Sequence, residues 1–259
     1  MTGATSSTAS EDSTASTGRA AFAASLPEST TAGAYLGECG TVRSTNIAQV
    51  QPDPGGADRE SGIHKVPVDH LEVFAPGPNY GDGSGVVGDF VGDSAHHGGA
   101  DKAVYAFARE ELDFWSGQHS DALPENTERF PDGYFGDNLT TEDVDWTRAV
   151  IGQQVRVGEA LLEVSVPRQP CRTFGGWLDI RGWMRIFTQH ADCGCYFRVV
   201  EPGVIRPGDA IEFLPAPDHG VTMQQAFKAK MGDKELAALV VEAQCLPPHH
   251  HDQLVKLLR

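Results

Sequence analysis

The sequence has few basic residues and no long apolar run. Twenty lysines and arginines stand against 36 aspartates and glutamates in 259 residues, which gives a formal net charge of −16. A surface of that sign repels a phosphate backbone, and no basic block interrupts it. The apolar runs reach about five to eight residues, short of the roughly 18 to 20 that a membrane-spanning helix needs. We therefore expect neither a nucleic-acid polymer nor a membrane as a partner.

Cysteine is scarce, and the chain starts without the pattern of a secretory signal. Five cysteines are an odd number with no framework of a small disulfide scaffold, which favours a reducing, cytoplasmic location. Cys193 and Cys195 are too close for the common two-residue metal spacing and lack a second pair, so we interpret them as buried thiols. His249–His251 stand beside two prolines, and we interpret them as part of an interhelical turn.

Glycine and proline are abundant instead, with 29 and 16 residues, and they separate short runs rich in Val, Ile and Phe. That texture is typical of a turn-rich, strand-rich body. The first 30 or so residues have almost no large apolar side chains and are predicted to be disordered. The composition becomes helical from Thr222, a candidate N-cap. The predicted segments are a disordered tail (1–32), a β-rich domain (33–219) and a helical C-terminal extension (220–259).

Periodicity predicts the individual elements. Alternating apolar residues indicate strands, and apolar residues spaced i, i+3, i+4 and i+7 indicate amphipathic helices. The predicted strands occupy residues 40–50, 66–73, 86–91, 196–200 and 210–214, with a hairpin feeding a buried strand over 154–166. The predicted helices occupy residues 109–118, 177–190, 222–231, 234–243 and 252–258.

Residues 92–104 form the densest group of polar side chains, with two histidines, two aspartates, a lysine and several glycines. Glycine lets a backbone approach a ligand closely, and the side chains supply hydrogen-bond donors. The segment can therefore hold an anionic cofactor. The alternative is a tight turn with solvated histidines. The candidates here are His97, Asp101 and Lys102.

Residues 166–174 place Cys171 between Arg168 and Arg172, in a segment stiffened by two prolines. Neighbouring cations favour the thiolate form of a cysteine, which binds a metal or acts as a nucleophile, and they also attract an anion. The alternative is an inert, buried cysteine.

Two further polar residues are weaker candidates. Asn138 lies in the segment 135–141, whose polar residues can hold a ligand or merely cap a turn. Lys65 can supply a point charge for phosphate, and the alternative is a solvated surface lysine.

In this order, these segments resemble the MOSC family, named for the C-terminal domain of molybdenum cofactor sulfurases, and in particular its stand-alone YiiM-like bacterial branch. The resemblance spans roughly Gly40 to His219. Its five ordered matches are Gly62-Ile-His-Lys-Val-Pro-Val68, His97-Gly-Gly-Ala-Asp-Lys-Ala-Val104, Phe135-Gly-Asp-Asn-Leu-Thr140, Gly158 to Val166 and Pro167-Arg-Gln-Pro-Cys171. It implies a mainly β (α+β) fold, with a β-barrel-like MOSC domain, peripheral helices and a small three-helix C-terminal extension.

The resemblance also implies a cleft in which an essential cysteine coordinates the molybdenum of a pterin cofactor. Cys171 matches that cysteine and is the predicted catalytic residue and metal ligand. One departure is Asp137, where relatives often carry glutamate. The remaining candidates, in the matched segments or beside them, would hold pterin, phosphate or substrate: Lys65, His97, Asp101, Lys102, Asn138, Arg168 and Arg172.

The activity that the resemblance implies is reduction of N-hydroxylated compounds, such as hydroxylamino bases and amidoximes, at molybdenum. Electrons would come from a separate reductase, because the chain has no flavin or iron-sulfur motif. Two alternatives stay open: a non-catalytic carrier of molybdenum cofactor or sulfur on Cys171, and a metal-free thiol hydrolase that uses Cys171 and His97. Nothing in the chain assigns a pyridoxal phosphate Schiff base to Lys65 or Lys102.

Overall fold

The computed structural model describes Met1 and residues 40–259, so the predicted disordered tail lies outside the described residues except for Met1. The strands are β1 (Gly40–Ala48), β2 (Gln51–Pro52), β3 (Glu60–Ser61), β4 (Lys65–Val68), β5 (Leu71–Val73), β6 (Val104–Ala108), β7 (Leu139–Glu142), β8 (Gln154–Val157), β9 (Ala160–Val164), β10 (Cys195–Glu201), β11 (Gly203–Ile205) and β12 (Ala210–Phe213). The helices are α1 (Arg109–Gln118), α2 (Arg172–Leu178), α3 (Trp183–His190), α4 (Met223–Lys230), α5 (Lys234–Ala243) and α6 (Pro248–Leu257).

Seven strands close into a barrel in the order β12, β8, β9, β10, β6, β7 and β1. The ring closes where β1 pairs with β12, with Gly40 opposite Ile211. All neighbours in the ring are antiparallel except β6 and β7, whose connection contains α1, as a parallel pair requires a long crossover. β4 pairs with the far end of β1, outside the ring. The predicted mainly β (α+β) barrel fold is confirmed.

Alternation of side chains fills the barrel. In β8, Val155 and Val157 are buried while their neighbours are partly exposed, and in β10 the buried residues are Cys195, Phe197 and Val199. Every second residue of a strand points to the same face, so one face of each strand supplies the interior. β8 and β10 thus supply apolar side chains to the interior, whereas β6 is buried on both faces.

The helices share an aromatic cluster outside the barrel. Trp115 in α1 lies 4.7 Å from Trp183 in α3, and Phe174 in α2 lies 5.3 Å from Phe187 in α3, both measured between ring centroids. Phe187 also contacts Phe227 in α4, with centroids 6.2 Å apart. α4 thus packs on the same aromatic cluster as α2 and α3.

The predicted three-helix extension is confirmed as α4, α5 and α6. α4 begins with a capping box, in which Thr222 and Gln225 satisfy each other's backbone N–H groups. α6 begins at Pro248, earlier than predicted, because proline suits the first turn of a helix, so the interpretation of His249–His251 as an interhelical turn is wrong. Among the described helices, we find none with the length and apolar character needed to cross a bilayer.

Two predicted strands differ from the structure. The strand predicted over 86–91 is wrong, because the segment is a loop in which Val86 makes a single bridge to Val73 and Gly88 has a left-handed φ of 77°. The strand predicted over 66–73 is two strands, β4 and β5, and β5 pairs with β11 instead of β1. The valines in these two segments predicted longer regular strand pairing than the structure contains.

The single helix predicted over 177–190 is wrong. The structure has α2 and α3, separated by Asp179 with φ 49° and Gly182 with φ 79°. Two left-handed residues end one helix and begin another, so the apolar spacing after Trp183 holds only for α3. The break lets α2 begin earlier, at Arg172, directly after Cys171.

Candidate functional site

A cleft beside the barrel collects most of the predicted site residues. Its volume is about 730 Å³ including its open mouth. β4, the loop before β6, the turn before β7 and the segment after β9 all contribute side chains. Six of the eight predicted site residues line it: Lys65, His97, Lys102, Asn138, Arg168 and Cys171.

Asp101 and Arg172 do not line the cleft. The Asp101 carboxylate accepts a hydrogen bond from Nε of Arg198 at 2.7 Å, and Arg198 also pairs with Glu163. Arg172 is the first residue of α2 and is exposed. Proximity in sequence to Lys102 and Cys171 therefore does not bring these two side chains into the site.

Cys171 lies at the cleft because the chain leaves the barrel just before it. β9 ends at Val164, and Pro167 and Pro170 lack the N–H groups that would continue a strand. The chain then turns into α2, with Cys171 as its N-cap. The thiol is half-buried, lines the cleft and is not in a disulfide. A thiol in such a position can act as a soft ligand or as a nucleophile.

Arg168 is buried, with 5% of its surface exposed. Its Nη1 donates hydrogen bonds to the hydroxyl of Tyr105 at 3.4 Å and to the carbonyl of Phe135. Burial lowers the pKa of Arg168, but Tyr105, Tyr196 and Cys171 raise it more, so the net pKa is above its ordinary value. Within residues 40–259 no carboxylate contacts this guanidinium, which leaves its charge available to a ligand.

Lys102 is, with Arg168, one of two cations in the cleft lining without a carboxylate partner among residues 40–259. Its Nζ donates to the carbonyl of His96 at 2.7 Å and lies 4.7 Å from the ring centroid of Tyr80. Burial lowers the pKa of Lys102 to about 8, against the opposing effects of Cys171 and Asp101. The ammonium is still mostly charged at neutral pH.

Lys65 is neutralised by Asp89, a residue that the sequence analysis did not single out. Nζ of Lys65 lies 2.6 and 2.7 Å from the two carboxylate oxygens. Asp89 also accepts from Nδ2 of Asn138 at 2.9 Å and from the N–H of Ala48 at 2.8 Å. Burial raises the pKa of Asp89, but these partners lower it below its ordinary value. Lys65 and Asn138 thus line the cleft while their polar groups are engaged with Asp89.

His97 is neutral, because burial, followed by Lys102, lowers its pKa to about 3.

Gly98 and Gly99, which follow His97, allow a neighbouring loop to pack closely. A Cβ on Gly98 would lie 2.7 Å from the carbonyl oxygen of Gly83, and one on Gly99 would lie 2.2 Å from that of Asn79. The neighbouring loop can approach this segment only because both positions lack a side chain.

Two tyrosines of the cleft were also missed in the sequence analysis. Tyr105 in β6 and Tyr196 in β10 are direct partners across the sheet, with ring centroids 4.8 Å apart. The available signal was their position inside apolar strands, where a buried hydroxyl needs a polar partner. Asp89, a single acid in a loop, gave no comparable signal.

The cleft lining has four cations and four carboxylates, but the carboxylates are distributed unevenly among the cations. Arg59 at its mouth pairs with Asp53 and Asp93, and Lys65 pairs with Asp89. The charges of Arg168 and Lys102 both interact with Cys171. Neither of these two cations has a carboxylate partner among residues 40–259. The site is therefore suited to an anion beside a thiol.

A protein-family comparison identifies a MOSC domain over residues 93–212. YflK of Bacillus subtilis, an uncharacterized protein, is 31% identical over 201 residues, which cover 77% of this chain and 85% of YflK. YiiM of Escherichia coli is 29% identical over 178 residues, covering 69% of this chain and 73% of YiiM. A protein named reductase from Gibberella moniliformis is 26% identical over 179 residues, 69% of this chain but only 30% of that protein.

The fold is also that of a solved relative. The crystal structure of YiiM from Geobacillus stearothermophilus superposes with a TM-score of 0.65 at 22% identity, covering 85% of this chain and all of that one. The resemblance to the YiiM-like branch, which rested on five short motifs, thus extends over the barrel and the helices. The chain belongs to the MOSC domain family.

Proposed function

We propose that this protein binds a molybdenum cofactor in the cleft, with Cys171 as a metal ligand, and reduces N-hydroxylated compounds such as hydroxylamino bases and amidoximes. The observation that carries the proposal is the accessible Cys171 thiol beside two cations, Arg168 and Lys102, that lack carboxylate partners among the described residues. A thiolate is a soft ligand that suits such a metal, and the cations suit an anionic cofactor.

The residues fit a pterin cofactor with a phosphate. Arg168 and Lys102 supply charged donors, and Tyr196 adds a hydroxyl at the cleft wall. Gly136 lines the cleft with a left-handed φ of 82°, and a Cβ there would lie 2.9 Å from Ile63 and 3.8 Å from Nη2 of Arg168. Its absence keeps space open next to the guanidinium.

When bound, the cofactor supplies the two-electron redox chemistry. The chain's residues bind and orient: Arg168 and Lys102 hold the anionic part, and neutral His97 can donate or accept a hydrogen bond without adding charge. Reduction of an N-hydroxyl group consumes two electrons and two protons and releases water. The electrons come from a separate reductase in this proposal.

The relative from Gibberella moniliformis carries the name reductase, and the matched region is less than a third of it. The similarity supports membership of a reductase system, with the other parts of the electron path supplied by other domains or proteins. It does not define the substrate, which the assay below has to identify.

The test is molybdenum content, measured by mass spectrometry on protein purified from a cofactor-producing host. Cys171→Ala is compared with Cys245→Ala, a half-buried cysteine outside the cleft lining. We expect stoichiometric molybdenum in the parent and in Cys245→Ala, and loss in Cys171→Ala. The loaded parent, given a chemical reductant, should then reduce hydroxylamino bases and amidoximes.

The other outcomes discriminate between the alternatives. Molybdenum bound through Cys171 without turnover of any N-hydroxylated substrate would favour a non-catalytic carrier. Absence of molybdenum from the parent, under conditions that load a known molybdenum enzyme, would overturn the cofactor proposal and favour thiol chemistry at Cys171.

A further inference from the structure

We propose that the C-terminal extension positions Lys102 in the cleft, through a hydrogen bond from Tyr80 to His250 in α6. Neither Tyr80 nor His250 lines the cleft, so in this proposal both act through Lys102 and are positioning residues. The functional importance of Lys102 rests on the proposed function, but its placement by α6 does not.

α6 contacts the loop before Lys102. The hydroxyl of Tyr80 and Nε2 of His250 are 2.7 Å apart. His250 is 3% exposed, and burial, followed by the charge of Lys230, lowers its pKa to about 3. A neutral imidazole can accept a hydrogen bond from the phenol hydroxyl at Nε2. The hydrogen bond therefore fixes the far end of the Tyr80 side chain.

The backbone of the Tyr80 loop is hydrogen-bonded to the segment that carries Lys102. The N–H of Gly81 donates to the carbonyl of His97 at 3.1 Å, and the N–H of Gly99 donates to that of Gly83 at 2.8 Å. The N–H of Ala100 donates to the carbonyl of Gly77 at 2.9 Å. The Tyr80 side chain is thus held at both ends.

The ammonium of Lys102 contacts the ring of Tyr80. Nζ of Lys102 lies 4.7 Å from the ring centroid of Tyr80 and 5.8 Å from that of Tyr196, and it donates to the carbonyl of His96. Cations are attracted to aromatic faces at such distances. Two rings and one carbonyl therefore define the position of a flexible four-carbon side chain.

A buried histidine at position 250 is less favourable for stability than an apolar residue if packing is its only role. Its Nδ1 is buried and has no hydrogen-bond partner within the described residues. Burying an unpaired polar atom costs free energy that an apolar residue of similar size would avoid. The bond to Tyr80 is the interaction that a leucine at this position would lose.

The experiment measures the reactivity of Lys102 in cofactor-free, full-length protein. Acetic anhydride is applied in limiting amount at several pH values from about 7 to about 10. The pH dependence of the acetylation rate gives the pKa of the Lys102 amine, and the plateau at high pH gives the limiting rate of its uncharged form. Peptide mass spectrometry compares Lys102 with the exposed Lys228 and Lys234, which serve as internal references.

We expect His250→Leu to raise the limiting rate at Lys102 about fivefold, the factor that corresponds to a typical hydrogen bond of about 1 kcal/mol. Tyr80→Phe should have the same effect, and the double variant should add little, because both changes remove one interaction. His250→Gln keeps an acceptor for the phenol and should retain the parent rate.

Equal behaviour of His250→Gln and His250→Leu would overturn the proposal, as would additive effects of Tyr80→Phe and His250→Leu. Labelling of Lys228 and Lys234 normalises the reagent dose, and a cooperative urea unfolding transition shows that a variant is folded. Tyr80→Phe removes one oxygen atom and keeps the test valid if His250→Leu does not fold. These results do not depend on whether molybdenum binds, so failure of the proposed function is recognised separately.

Discussion

The guanidinium carbon of Arg168 lies 3.7 Å from the ring centroid of Phe174, in the helix whose N-cap is Cys171. Phe174 is fully buried in the aromatic cluster, so the ring is a fixed surface for the cation. The charge of Arg168 and the thiol of Cys171 are therefore placed by the same helix. A planar guanidinium stacks on such a face, whereas an ammonium does not.

Arg168→Lys should reduce the molybdenum content of purified protein by about tenfold or more, because lysine keeps the charge but loses the stacking and the hydrogen bonds of a buried guanidinium. The measurement is the metal-to-protein ratio after expression in a cofactor-producing host. Arg185→Lys, exposed in α3 and outside the cleft lining, should leave the ratio unchanged. Equal losses in both variants would show that Arg168 has no special role.

Asp89→Asn should lower the free energy of unfolding at neutral pH by about 3–5 kcal/mol, because Lys65 would be buried without a counter-ion. Urea unfolding measures the change, with Asp69→Asn as an exposed control that should have little effect. Parent stability near that of the variant at neutral pH would contradict the prediction.

The same carboxylate predicts a pH dependence. The pKa of Asp89 is lower in the folded protein than its ordinary value of about 3.9, so its contribution to stability is complete above that value. The contribution is lost as the pH falls through the folded-state pKa. The stability difference between parent and Asp89→Asn should therefore shrink in acid, and a difference that grows would be evidence against the ion pair.

Gly99→Ala should destabilise the protein more than Gly88→Ala. Both glycines have positive φ values, 75° and 77°, so both substitutions strain the backbone, and Gly99, with ψ 176°, lies in a region almost exclusive to glycine. Only Gly99 adds a clash, since its Cβ would lie 2.2 Å from a carbonyl oxygen, whereas the Cβ of Gly88 meets nothing within 4 Å. Equal unfolding free energies would contradict the packing role of Gly99.

Cys171 should react first with iodoacetamide among the four cysteines that the structure describes. Cys193 and Cys195 are buried, and burial raises the pKa of both thiols. Burial also raises the pKa of Cys245 to about 11. Peptide mass spectrometry gives the rate at each site. Bound cofactor should protect Cys171 and leave the Cys245 rate unchanged, and protection of both would indicate a general change in the fold.

The sequence predicted the part of the site that is local in the chain. Cys171, Arg168 and Lys102 were found because thiol and cations stand in short motifs, and all three line the cleft. Asp101 and Arg172 were selected by the same reasoning and lie outside the lining, since adjacent residues of a helical turn point in different directions. Their role as cofactor ligands stays a prediction, as do the segment boundaries at 32 and 219.

The sequence by itself determined the strand-rich composition, the motifs of the family and the three C-terminal helices, because hydrophobic period and capping residues act over a few neighbours. Only the tertiary structure decided the barrel closure of β1 on β12, the split between α2 and α3, and the burial of Asp89 against Lys65. It also brought Tyr80 to His250 across 170 residues. Such contacts depend on which surfaces are left to pack once the chain has folded, and no local pattern encodes that choice.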